Sequence, residues 1–153
     1  MYEDLVVDIQ NQGVCIIDID FHGHCKGLYS DNVIAIDSNI ETDNEKKCVL
    51  AEELGHYYTS IGNILDKSDI SNAKQEKRAR NWGYEKLVSI VDLIAAYNNG
   101  ARNYCEMAEY LNVTEEFLDA SIQHYREKYG TFYIKDNYLI NFEPYFEIVK
   151  IDL

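Results

Sequence analysis

The first 40 residues carry short apolar runs rather than a helical stripe. Residues 14–19 (VCIIDI) and 32–37 (NVIAID) are β-branched and read as strands, and Asp31-Asn32 ahead of the second is a turn signal. Gly23 and Gly27 punctuate the stretch between, so the two runs are expected to lie as neighbours in a small sheet. The pattern then changes to the period of a helix. Thr42 with Glu45 three residues on is a capping box, and Cys48, Val49, Leu50, Leu54, Tyr57 and Tyr58 follow on a helix that runs to about Ser60 and ends at Gly62-Asn63. Residues 61–71 read as a connection, with Ser71 or Asn72 as the next cap. A long second helix is expected over residues 73–97, with Ala79, Trp82, Leu87, Ile90, Val91 and Ile94 near helical period. Gly83 interrupts it, which signals close approach of another helix, and Asn98-Asn99-Gly100 stops it.

Two shorter helices follow, over residues 104–111 and 114–128. Thr114 caps the second, Glu115 and Glu116 sit in its first turn, and Gly130 ends it. Beyond, Phe132 and Ile134, then Tyr138, Ile140 and Phe142, alternate around Asp136-Asn137, which predicts a hairpin; residues 146–151 offer a further strand. The fold class is therefore α+β. Residues 1–100 read as one domain, with residues 101–153 as a helical unit plus strands packed on it.

Charge narrows the function. There are 27 acidic and 14 basic residues, a net charge of −13, which opposes general attraction to nucleic acid and anionic membranes. The one dense basic run is 74–80. No apolar stretch is long enough to span a bilayer, and the start MYEDLVVDIQ lacks the features of a signal peptide, so a cytoplasmic location is expected. Cys15, Cys25, Cys48 and Cys105 form no CxxC pair and are expected to be reduced, small buried hydrophobes.

The chemistry concentrates in residues 50–60, LAEELGHYYTS. On a helix, Glu52 and His56 point the same way, so a carboxylate and an imidazole can hold one metal ion. Glu53 projects about 100° around the axis, where it reaches a metal-bound water without being a ligand. This is the zinc-peptidase pattern His-Glu-x-x-His with Glu52 in place of the first His. Glu76, early on the second helix, is the candidate third ligand, which leaves an open coordination position. Tyr57, Tyr58, His22 and His24 are candidates for an oxyanion donor or an extra ligand. His22 and His24 would share one face if their segment is a strand. The strand at 32–37, if it lies at a sheet edge, could accept a peptide by main-chain pairing.

The run CVLAEELGHYYTS, the later block QEKRARNWGYEKL with Glu76, Ala79, Trp82 and Gly83, and the upstream KGLYSDNVIAID together resemble the ImmA/IrrE family of metallopeptidases over roughly residues 26–87. AEYLNVTEEFL and the strands after Tyr129-Gly130 are similar to the C-terminal part of phage-type members. The resemblance implies a zincin-like domain: a small sheet, an active-site helix and a long second helix. It implies one divalent metal, zinc by family habit, held by His56 and Glu76, with Glu53 as general base. It also implies an anti-repressor of a prophage or mobile element that cleaves a helix-turn-helix repressor. Glu52 departs from the family's His. Two carboxylates and one His make a harder, more negative site, which moves the preference toward manganese or iron.

Two other functions compete with it. One is an inactive relative that regulates a repressor by binding alone. The other is a DNA-binding helix-turn-helix protein, because Ala108, Asn112 and Leu118 fall at that motif's spacing. Its reading helix would start TEEFLD, setting Glu115, Glu116 and Asp119 against phosphates, so packing or partner docking suits the unit better.

Overall fold

The computed structural model describes residues 2–59 and 70–152. The described elements are α1 (Tyr2–Asn11), β1 (Cys15–Ile19), β2 (Gly27–Ser30), β3 (Val33–Asp37), α2 (Asp43–Thr59), α3 (Ile70–Leu87), α4 (Ile90–Asn98), α5 (Tyr104–Leu111), α6 (Glu115–Tyr129), β4 (Phe132–Lys135), β5 (Tyr138–Asn141) and β6 (Glu147–Lys150). The protein is α+β and divides into two compact units, Met1–Lys86 and Leu87–Leu153. No helix among the described residues is long and apolar enough to cross a membrane.

In the first unit the strand order is β1-β3-β2, with β1 parallel and β2 antiparallel to β3. β3 is the central strand, not an edge: Ile34 and Ile36 have no exposed surface. The expectation that a peptide could pair with residues 32–37 is therefore overturned, because both sides of that strand are already hydrogen-bonded. The free edge on the helix side belongs to β2, whose short GLYS sequence carries little strand signal. α1 precedes the sheet and lies outside the elements that the sequence pattern predicts. Leu5 and Ile9, one turn apart, bury its inner face, while Val7 stays 53% exposed.

α2 starts where the cap predicts, with the Glu45 N–H donating to Thr42 Oγ1 at 3.2 Å. The Gly62-Asn63 stop and the connection 61–69 lie outside the described residues. α3 already includes Ser71 and Asn72, so neither precedes the helix as its cap. α2 and α3 meet at two points where a side chain has no room. A Cβ on Gly55 would overlap the Ala79 carbonyl, and one on Gly83 would lie 3.2 Å from the Ala51 carbonyl. The interruption at Gly83 thus marks a close helix approach.

The single long helix expected over 73–97 is two helices. Ser89 caps α4 in a reciprocal box with Asp92, its Oγ accepting from the Asp92 N–H at 3.0 Å. The apolar period runs unbroken from Leu87 to Ile94 and conceals this break. In the second unit, Asn112 in the left-handed region (φ 56°) turns α5 into α6, and Thr114 Oγ1 accepts from the Phe117 N–H at 3.1 Å. The C-terminal strands form an antiparallel meander, β4-β5-β6, that buries Ile140 and Phe142. Tyr125 is buried in this unit, its hydroxyl donating to the Val88 carbonyl at 2.6 Å.

Of the four cysteines only Cys48 is buried. Cys15 opens an edge strand, Cys25 lies in the turn before β2, and Cys105 faces outward in the first turn of α5, so the buried-hydrophobe reading fails for all three.

Candidate functional site

α2 carries two neighbouring stripes. Residues 45, 49, 53 and 57, each one turn apart, face β2. Lys26, just before β2, pairs with Glu45. Gly27 lies against Val49 and Glu53. Tyr29 meets Tyr57 edge-on, with ring centroids 5.9 Å apart. Residues 51, 52, 55 and 56 turn instead toward α3. That stripe brings His56 Nε2 to 3.4 Å from Glu76 Oε2.

His56 is buried, and its Nδ1 has no hydrogen-bond partner. Burying a polar nitrogen without a partner costs roughly 1–3 kcal/mol, so this ring has an unmet polar demand. Two ligand atoms each about 2.1 Å from a tetrahedral zinc are themselves about 3.4 Å apart. The His56–Glu76 separation fits a shared cation. Glu52 is not gathered into the pair: among the described residues, no three His, Cys, Asp or Glu side chains converge closely enough to hold an ion. Glu52 lies one turn before His56 on the same stripe. Its charge acts on Tyr84 of α3, whose hydroxyl is pushed above the usual range first by burial and then by Glu52. Of the three candidate ligands, His56 and Glu76 approach each other and Glu52 does not join them.

Among the described residues, Glu53 is the most perturbed carboxyl. Burial between β2 and α2, reinforced by the negative charges of Glu52 and Glu76, lifts it from 4.5 to about 8. Desolvation and like charge both oppose ionisation. A carboxyl that keeps its proton near neutral pH, beside a paired His and Glu, is an arrangement typical of acid–base sites.

The other candidates are placed as follows. Tyr57 lies one turn beyond Glu53 on the β2-facing stripe. Tyr58 lies on another side of α2, stacked on Trp82 at 4.9 Å, with its hydroxyl donating to Gln12, the residue just after α1. His22 and His24 are not on a strand. They occupy an exposed turn in which His22 has φ 53° and its N–H donates to Asp20 at 2.8 Å. The shared-face argument for these two therefore fails, because Gly23 between them adopts φ 82° and reverses the chain.

Two residues outside the candidate set lie along the stripe that carries Glu53: Gly27 beside Glu53 itself and Tyr29 beside Tyr57. Gly27 and Tyr29 stand on the open side of β2. The Asp37 N–H donates to the Lys26 carbonyl at 2.8 Å, so alternation turns the N–H and C=O of Gly27 and Tyr29 away from β3, toward the free edge. In α5 and α6, Ala108 and Leu118 are buried, and Glu115, Glu116 and Asp119 are exposed.

No curated protein and no solved structure matches the chain significantly. A family match, to Peptidase_M78, the IrrE N-terminal-like domain, spans residues 9–123 and so takes in β1 through α5 and part of α6. That family's chemistry is that of a metal-dependent peptidase. The chain belongs to the IrrE N-terminal-like family of peptidases.

Proposed function

We propose that this protein is a cytoplasmic metallo-endopeptidase of zincin type that cleaves a helix-turn-helix transcriptional repressor, acting as an anti-repressor of a prophage or mobile element. The observation that carries the reading is the 3.4 Å approach of His56 to Glu76 beside the perturbed carboxyl of Glu53. His56 and Glu76, joined by Glu52 after a change of side-chain rotamer, would hold one divalent ion, zinc or, given two carboxylates, manganese or iron. When bound, that ion supplies polarisation of the scissile carbonyl and of the attacking water, and its charge returns Glu53 toward its ionised form.

The chain's own groups do the remaining work. Glu53 takes a proton from the water and passes it to the leaving amine nitrogen. A substrate peptide pairs along the free edge of β2 through the outward main-chain groups of Gly27 and Tyr29, which brings it alongside Glu53. Tyr57, on the same stripe as Glu53, is the better placed of the two tyrosines to donate to the developing oxyanion. The acidic start of α6 supports a protein partner rather than DNA.

Co-expression with a repressor gene from the same locus tests the reading. The expected result is a defined repressor fragment that disappears with Glu53→Gln, while elemental analysis finds near one divalent ion per chain in both proteins. The separation of Glu52 from the His56–Glu76 pair favours one second reading, a relative that regulates its repressor by binding alone. Absence of metal after reconstitution, together with a stable uncleaved complex, would select it.

A further inference from the structure

We infer that Gly27 is a positioning residue for Glu53: the missing side chain at this point of β2 is what lets the carboxyl occupy its seat against the sheet. The inference rests on the proposed role of Glu53 and adds a residue to it.

Gly27 has no left-handed backbone that would require glycine, so any residue could adopt its conformation in the strand. What excludes a side chain is the neighbourhood. A Cβ built on Gly27 would lie 2.7 Å from Val49 Cγ1, 3.0 Å from Glu53 Cγ and 3.2 Å from Glu53 Oε1. The three contacts come from one direction, the β2-facing stripe of α2. Val49 yields poorly, because a β-branched side chain on a helix has essentially one rotamer. Glu53 has two rotatable bonds between its Cβ and its carboxyl, so it is the group that moves.

The strand is also fixed on either side of this point. Lys26 is tied to Glu45, and Tyr29 rests on Tyr57, so β2 has little freedom to retreat from α2. At its near end the sheet holds firm as well, through the Asp37 N–H to Lys26 carbonyl bond at 2.8 Å. A methyl at position 27 is thus transmitted to the carboxyl of Glu53 and not absorbed by the backbone. The same glycine turns its N–H and C=O to the open edge of β2, so the residue that seats the base also borders the path of the peptide. None of these contacts involves His56 or Glu76. Position 27 therefore separates the seating of the base from the holding of an ion.

The test uses the full chain and four proteins: the parent, Gly27→Ala, Val49→Ala and the double variant. Val49→Ala removes the 2.7 Å contact and leaves Glu53 as the remaining obstacle. The double variant should match Val49→Ala in thermal midpoint and in ions bound per chain. Its kcat for repressor cleavage should nevertheless be lower by about tenfold to a hundredfold, with KM little changed, because a reacting group displaced by about 1 Å costs on that scale. A second readout does not depend on activity. In the metal-free proteins, the ¹³C signal of the Glu53 carboxyl should move between Val49→Ala and the double variant, while the His56 ring signals stay in place.

Equal cleavage by Val49→Ala and the double variant would overturn the inference, and so would loss of ion in proportion to loss of cleavage. An unmoved Glu53 signal would overturn it as well. If the parent cleaves no repressor but the Glu53 signal moves, the seat stands and the peptidase reading fails, so the two failures are told apart.

Discussion

Residues 45, 49, 53 and 57 of α2 face a strand, whereas residues 51, 52, 55 and 56 face another helix. The strand side seats the Glu53 carboxyl against Gly27, where burial and nearby negative charge oppose ionisation. The helix side brings an imidazole and a carboxylate together at 3.4 Å. That approach depends on two glycines that let α2 and α3 close until Gly55 touches the Ala79 backbone and Gly83 the Ala51 backbone. One helix therefore keeps a proton-handling group and a cation-holding pair side by side yet separately supported. Each stripe can therefore be damaged without the other.

The largest effect is expected at the helix–helix contact. A side chain at position 55 runs into backbone, which cannot rotate away, so Gly55→Val should cost several kcal/mol and leave little folded protein. Gly83→Ala meets its neighbour at 3.2 Å and should cost about 1–2 kcal/mol, a measurable drop in thermal midpoint with the fold intact. If Gly55→Val folds as stably as the parent, α2 and α3 do not pack through these glycines.

Next in size is the chemistry. Glu53→Gln should lower cleavage by about 10²- to 10⁴-fold, the usual contribution of a general base, while the ion stays bound. His56→Ala should do the reverse, losing the ion first and cleavage as a consequence. Metal content measured beside cleavage for both variants decides whether the stripes are separable. A single joint loss in both variants would merge them.

Local signals in the sequence were readable because they are local in cause. Thr42, Thr114 and Gly130 mark helix ends through side-chain or backbone geometry that depends on a few neighbours, and each lies where its helix begins or stops. Residues 14–19 and 32–37 show their strand character in their own β-branched composition, and they do pair. Pairing order is not local. β2 inserts no apolar run of its own, so β3 looked like a possible edge when it is the centre of the sheet. The break at Ser89 was hidden because a capped new helix can keep the old helix's apolar period. Among candidate site residues, the approach of His56 to Glu76 follows helical spacing plus one glycine-mediated crossing, and Gly83 hinted at that crossing. The role of Gly27 leaves no trace in spacing, since it arises from a strand and a helix meeting in space.

The mildest perturbation of the comparison is pH, applied to the metal-free protein. Glu53 titrates near 4.5 when unfolded and near 8 when folded. Below pH about 4.5 both states carry the proton, and the folded state is not penalised. Between the two values the unfolded chain has lost its proton while the folded one still holds it. Folding then binds protons, and stability falls as pH rises. Above pH about 8 the loss is complete, amounting to an order of a few kcal/mol after allowance for the water that still reaches a half-buried group. Glu53→Gln removes this slope. Denaturant midpoints taken from pH 5 to 9 should therefore show the variant gaining on the parent as pH increases, with the two closest at the acid end. Adding the divalent ion should shrink the gap, because a cation beside Glu53 stabilises its charged form. A parent protein whose stability relative to Glu53→Gln stays flat over that range would mean that the carboxyl is solvated, and the β2 stripe would then differ from the α3 stripe in sequence but not in environment.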